Sequence, residues 1–350
     1  MRPNHFRGKD RDSFVRDFLV PFFRNFSTAI RQEIPDAIMF CEPVVNFEDL
    51  HGDPPPKWLT DKDVGPGYVC RFIETTKYIH SLTHSLAHTY PSYTGAKHYY
   101  DGMTLITKQF RNWIGLDQIK ERPVFLHSNV VNAHAKTLRH YANEARVIGS
   151  KGCPTLIGET GIPFDLGRGP GRNENRACAA MNTTMSALER NMLNFTLWTY
   201  VVDNSFESGD QWCGEDLSIW SRDQKKLTKE RNCYAGGRAL RAVIRPYAHL
   251  VAGTPLKMSY DPYNKKRIFE FFYECDDTSN GSNSSSEMRL DDPMTSVFYV
   301  PQYVYRSKNQ TTVIVSIGCD YVLDWDAQTL LVKRPRVFTR TVFCVRIYFE

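Results

Sequence analysis

Pro154-Thr155-Leu156-Ile157-Gly158-Glu159-Thr160-Gly161 is a short apolar run that ends in a glutamate between glycines, with Ile162-Pro163 behind it. A run this short, bounded by turn residues, reads as a buried strand of a parallel sheet. Its carboxylate stands at the C-terminal mouth of that strand, where (β/α) enzymes keep their chemistry. Held rigidly on a glycine turn that lets a substrate approach, Glu159 has the setting of a nucleophile for an anomeric carbon. The alternative is a structural carboxylate capping the next helix.

Working outward, strand and helix alternate. Apolar residues at helical spacing run from Asp12 to Glu33, with Pro21 as an expected kink. Ala37–Cys41 follows as a strand ending at Glu42-Pro43, then a helix over Val69–His88 and a strand over Ala96–Tyr100. A helix over Ala133–Ile148 precedes the Glu159 strand. A helix over Glu174–Met192, with Ala177, Ala180, Met181, Thr184, Met185, Leu188 and Met192 on one face, precedes a strand over Asn194–Tyr200. Four such alternations predict a parallel sheet with crossover helices.

After a helix expected near Gly237–Val251, the period changes to two. Arg336–Phe349 puts Val337, Thr339, Thr341, Phe343, Val345, Ile347 and Phe349 on one face, and Ile268–Tyr273, Ser296–Tyr305 and Thr311–Leu323 also read as strands. The expected fold is therefore α/β plus all-β: a (β/α) unit over residues 1–245 and an antiparallel β-sandwich over 246–350. Asp276–Asp292 is a polar loop between two sandwich strands.

Composition narrows the function. With 44 Lys and Arg against 39 Asp and Glu in 350 residues, the net charge of +5 is small and scattered, which argues against a nucleic-acid partner. Nine cysteines without a CxxC pair predict mostly free, buried thiols rather than a disulfide framework. Asn-X-Ser/Thr sequons occur at Asn25, Asn182, Asn194, Asn280, Asn283 and Asn309. No run reaches the roughly 18 apolar residues of a membrane span, and no secretion signal follows Met1. The expectation is a soluble chain whose compartment stays open, cytoplasm and vacuole both being compatible. His80, His84 and His88 form a helical stripe but lack the adjacent glutamate of an HExxH zinc site, so no metal is expected.

Several residues gather around the Glu159 strand. His98 and Tyr100 share parity on the preceding strand, so both leave the same face, where a tyrosine hydroxyl can orient a carboxylate and a histidine can hold a sugar hydroxyl. Trp198, near the end of the next strand, suits stacking on a pyranose. Beyond it, Asp203 to Trp220 is a polar, aromatic loop whose Asp203, Trp212 and Glu215 suit a substrate-binding wall. Glu42 and Asn46 follow another strand end; Glu42 competes for an acid/base role but is also read as a wall residue.

Together these pieces resemble glycoside hydrolase family 5, in its endoglycoceramidase-like branch of fungal glucosylceramidases and steryl β-glucosidases. The matching stretches are Phe40-Cys41-Glu42-Pro43-Val44-Val45-Asn46, His98-Tyr99-Tyr100-Asp101-Gly102, Ile157 to Asp165, Leu197-Trp198-Thr199-Tyr200 and, most specifically, Asp210-Gln211-Trp212-Cys213-Gly214-Glu215-Asp216-Leu217-Ser218-Ile219-Trp220. The resemblance implies a retaining β-glycosidase of glucosylceramide or steryl β-glucosides, with Glu159 as nucleophile on barrel strand 7. His98 and Tyr100 then lie on strand 6, Trp198 on strand 8 and Glu42 on strand 5. The family's acid/base glutamate follows an asparagine at the end of strand 4, and no strand here ends in Asn-Glu.

The expected chain is accordingly the C-terminal half of a (β/α)8 TIM barrel, strands 5 to 8, followed by the β-sandwich. It needs no cofactor. Its expected partners are a glycolipid or steryl glucoside substrate and, compatibly, a peripheral membrane-surface contact; the oligomeric state stays open. The alternative is an inert fragment, or a glycolipid- or partner-binding protein, lacking the acid/base glutamate.

Overall fold

Parallel strands cannot be joined by tight turns, so each must be followed by a crossover, and the chain obeys that constraint. The computed structural model describes residues 20–35, 39–41, 93–146, 154–167, 173–228, 231–277 and 292–350. Helix α1 (Val20–Glu33) precedes strand β1 (Met39–Cys41). Strand β2 (Tyr93–Tyr99) leads through α2 (Gly102–Thr107) and a hairpin, β3 (Ile114–Asp117) with β4 (Arg122–Phe125), into α3 (His127–Arg146). Then come β5 (Thr155–Thr160), α4 (Glu174–Glu189) and β6 (Asn194–Leu197). The order β1-β2-β5-β6 forms a four-stranded sheet in which every pairing is parallel.

Helices α3 and α4 cover one face of this sheet. Ile157 of β5, Leu138 of α3 and Met181 and Leu188 of α4 are fully buried together. Asn173 starts α4 by accepting the Arg176 N–H at 3.0 Å, a standard N-cap, and the expected apolar face is buried from Ala177 to Leu188, while Met192 lies beyond the helix end and is only partly buried. The Glu42–His88 stretch, with Glu42, Asn46 and the histidine stripe, lies outside the described residues, as does most of the polar loop after Asp277.

The remainder is antiparallel. After α5 (Arg222–Leu227) and α6 (Leu240–Val243) come β7 (Tyr247–Leu250), β8 (Thr254–Tyr260), β9 (Phe269–Cys275) and β10 (Thr295–Tyr299). Helix α7 (Gln302–Tyr305) leads into β11 (Thr311–Val315), β12 (Asp320–Asp324), β13 (Thr329–Lys333) and β14 (Thr341–Phe349). These form two four-stranded sheets, ordered β12-β13-β10-β7 and β11-β14-β9-β8. Phe269, Phe271, Tyr273, Phe298, Leu330, Val332, Phe343, Val345 and Ile347 fill the space between them.

Several expectations change. The helix expected over Gly237–Val251 is one turn followed by β7, because Pro246 cannot continue a helix and restricts Arg245 before it. Ser296–Tyr305 splits at Pro301, which starts α7, and Thr311–Leu323 splits into β11 and β12. Cys178 and Cys275 are buried free thiols as expected, but Cys213 and Cys233 are exposed. The Asn182 sequon is buried and its side chain accepts a hydrogen bond from Arg245, so it is no glycan acceptor in this fold.

Candidate active site

Strand β5 carries a one-residue bulge just before Glu159. Toward β2 its register steps from Lys97↔Ile157 to His98↔Glu159, and toward β6 from Ile157↔Phe195 to Thr160↔Leu197. Gly158 is thus the extra residue, in keeping with the use of bulges and strand glycines to re-aim a side chain. Without it, Ile157 and Glu159 would share the face covered by helices. With it, Ile157 and Thr160 point into that layer and are fully buried, while Glu159 joins His98 on the other side. The Gly158 carbonyl at the bulge accepts a hydrogen bond from the Thr196 hydroxyl.

Tyr100 and His98 both meet Glu159, where the sequence suggested a sugar hydroxyl for His98. The Tyr100 hydroxyl donates to Glu159 Oε2 at 2.9 Å, and His98 Nδ1 lies 3.1 Å from the same oxygen. Burial, and then the charge and hydrogen bond of Glu159, raise the Tyr100 pKa above its ordinary value; the charge of Glu215 adds to the rise. The hydroxyl therefore remains a donor at working pH. Gln118, from the turn of the β3–β4 hairpin, donates its amide N–H to the Tyr100 carbonyl at 2.9 Å and fixes that strand end.

Gly161 lets β5 and β6 converge here. A Cβ at this position would lie 2.4 Å from the Trp198 carbonyl oxygen, a backbone atom with nowhere to go. Trp198 follows β6, and the peptide bond between it and Thr199 is cis. Its indole N–H points to Glu215 Oε2 at 3.4 Å, which ties the tryptophan to the long loop.

That loop is held by buried polar groups. Asn204 donates to Asp210 at 2.7 Å and to Asp216 at 2.9 Å, while Asp210 accepts the backbone N–H groups of Leu217 and Ser218. Arg238 pairs with Asp216 at 2.8 Å and lies over the Phe164 ring. Buried polar networks of this kind rigidify a wall, and partial removal is costly. The structure brings Glu159, His98, Tyr100, Trp198 and Glu215 into one patch. Asp203 and Trp212 instead stand on the exposed side of the loop, Trp212 64% exposed.

Sequence reasoning missed Gln118 and the Asn204–Asp210–Asp216–Arg238 network, and read Gly161 as room for a substrate where it makes room for the Trp198 backbone. Gly158 within a strand was the one available signal for the bulge.

Comparison with known proteins finds the following similarities. Residues 245–347 match the Glycoside hydrolase family 5 C-terminal domain. A glucosylceramidase of Rhizopus delemar is 33% identical over 191 residues, covering 51% of this chain and 26% of its own length. An ergosteryl-beta-glucosidase of Saccharomyces cerevisiae is 27% identical over 240 residues, covering 65% of this chain and 27% of its own length. The crystal structure of Cryptococcus neoformans sterylglucosidase 1 superposes with a TM-score of 0.74 at 23% identity, covering all of this chain and 48% of that one, and shares its fold. The chain thus spans about a quarter of the length of these two sequence relatives. It is a relative of the glycoside hydrolase family 5 proteins of the glucosylceramidase and sterylglucosidase branch, and its residues 245–347 carry that family's C-terminal domain.

Proposed function

We propose that this chain carries the nucleophile half of a retaining β-glycosidase acting on glucosides of apolar aglycones, ceramide or sterol. The carrying observation is the asymmetry at Glu159. Tyr100 and His98 both engage Oε2, and no hydrogen bond among the described residues reaches Oε1. Oε1 is then the oxygen that attacks the anomeric carbon, while Tyr100 and His98 hold the carboxylate plane.

In the first step the Glu159 Oε1–carbon bond forms as the glycosidic bond breaks, and a second carboxylic acid protonates the departing oxygen. Water then cleaves the glycosyl ester. Trp198 offers a stacking face for the sugar ring and Glu215 an acceptor for its hydroxyls. We assign the protonating carboxyl to residues outside those described; Glu42, weighed for that role, is among them. Strands β1, β2, β5 and β6 correspond in this reading to barrel strands 5 to 8, with the unit boundary near residue 245. The chemistry uses two carboxyl groups and needs no metal or organic cofactor.

A 2-deoxy-2-fluoroglucoside with a good leaving group tests the nucleophile separately, because its departure needs no protonation. The full chain should acquire one fluoroglucosyl adduct, mapped by peptide mass to Glu159, and Glu159→Gln should acquire none. Folded chain that stays unlabelled, or is labelled on another carboxylate, would overturn the assignment.

A further inference from the structure

The connection that follows Tyr100 and the connection that follows Glu159 enclose a cavity of about 640 Å³. Residues 107–111, after α2, form one wall, and Asp165, Gly167 and Arg176 form the other. None of the residues gathered at Glu159 lines it, so it is a second place on the molecule.

Its walls are fixed to each other. The Gly167 N–H donates to the Lys108 carbonyl at 3.0 Å. Phe110 on one side and Leu166 on the other are both buried in the core of the parallel sheet's helix layer. Gly167 is left-handed, with φ +86°, and a Cβ there would stand 2.7 Å from Arg176 Nη1. Its bare backbone therefore gives the guanidinium its seat. Asp165 meets Lys108 at 3.4 Å. Arg111 and Arg176 have no carboxylate partner among the described residues.

The charges select the occupant. Lys108, Arg111 and Arg176 against Asp165 leave two positive charges facing one cavity. Like charges held together by a fixed backbone repel unless an anion answers them. A carboxylate brings one negative charge. The phosphate of a monoester brings about 1.5 to 2 at neutral pH, with three acceptor oxygens suited to guanidinium forks. Cavities of roughly 300–1,000 Å³ hold whole small molecules, so there is room here for the organic body behind the phosphate.

We propose that this cavity binds a small phosphate monoester, with Arg111 and Arg176 forking the phosphate oxygens and Lys108 adding the third charge. The ligand bridges the connection after Tyr100 to the connection after Glu159 and so holds the two together. The inference is independent of the glycosidase reading, since it uses none of the residues assigned to that chemistry.

Isothermal titration calorimetry of the full chain with glycerol phosphate, inorganic phosphate and, as the neutral reference, glycerol tests it. Glycerol phosphate should saturate a single site, several times more tightly than inorganic phosphate, and glycerol should not bind. Arg111→Ser and Arg176→Ser should each weaken binding about tenfold or more, the scale of one lost hydrogen bond to a charged group. Arg176→Lys keeps the charge but loses the fork, and should fall between the parent and Arg176→Ser. Lys226→Ser, which removes an exposed charge on α5, should change nothing. Circular dichroism establishes that each variant is folded. Saturating glycerol phosphate should raise the melting temperature of the parent but not of Arg176→Ser. A folded parent that binds neither phosphate overturns the proposal, as does inorganic phosphate binding as tightly as the monoester. So does a loss of affinity in Lys226→Ser equal to that in Arg176→Ser. Capture of the chain by phosphatidic acid vesicles, without binding of glycerol phosphate, puts the phosphate on a lipid and overturns the small-molecule assignment.

Discussion

Glu159 has two chemically different oxygens. Oε2 is held by Tyr100 and His98, and no hydrogen bond among the described residues reaches Oε1. If the Tyr100 hydroxyl orients the nucleophile, Tyr100→Phe removes a hydrogen bond to a charged group, an interaction worth about 1.5–3 kcal/mol. Turnover of an aryl β-glucoside, or the labelling rate with the fluoroglucoside, should fall about 10- to 150-fold on that basis, with the fold unchanged. An unaltered labelling rate would remove Tyr100 from the site. Because burial and the neighbouring carboxylates hold its proton well above the ordinary range, its loss as a donor should not appear in an alkaline pH limb of the parent chain. Much of this site was legible in the sequence: a glutamate at a strand end, and two residues of equal parity on its neighbour. The loop residues were less so. Trp212 and Glu215 are three positions apart and both read as wall, yet Trp212 faces solvent and Glu215 meets Trp198, a choice set by the turn geometry between them.

Elements with a strong repeat were read well, and those interrupted by proline were read badly. Helix α4 and strand β9 show their buried faces at the expected spacing. Strand β13 and the β3–β4 hairpin went unread because runs of four or five residues carry too few repeats to separate strand from loop, and β8 because it holds Pro255 and buries only Tyr260. The convergence of β5 and β6 rests on Gly161. Gly161→Ala should force the Trp198 backbone to shift, displacing the indole and lowering both the melting temperature and fluoroglucoside labelling. A variant that melts and labels like the parent would show that the strand ends can separate without consequence. The buried Arg334–Asp277 pair illustrates the same economy in the sandwich: Arg334 bonds both carboxylate oxygens and holds the Asp277 pKa below its usual value.

At the scale of the molecule, Arg245 joins the parallel sheet's helix layer to the sandwich. Its guanidinium bonds both oxygens of Glu189 and the Asn182 amide oxygen, all on α4, and the Tyr260 carbonyl at the end of β8. Both charged partners are buried, so removing one strands the other. Arg245→Met should cost about 3–5 kcal/mol, read as a lower melting temperature and a lower denaturant midpoint. Replacing both, Arg245→Met with Glu189→Met, should recover most of that loss. If the double variant is no more stable than the single one, the clamp acts through shape and not through charge.

The sequence by itself determined the alternation of strand and helix around Glu159, the change of period from helical to alternating, and several of the residues that gather around Glu159. Local periodicity and turn chemistry act over a few residues and are written in the chain. Tertiary structure alone decided which way Glu159 points. A single extra residue at Gly158 reverses side-chain direction, and that insertion exists only relative to the neighbouring strands with which β5 pairs. The same holds for Arg245 and Glu189, 56 positions apart, and for Gly161 against Trp198. Their contacts depend on close-packed backbones brought together by burial, which no local pattern records.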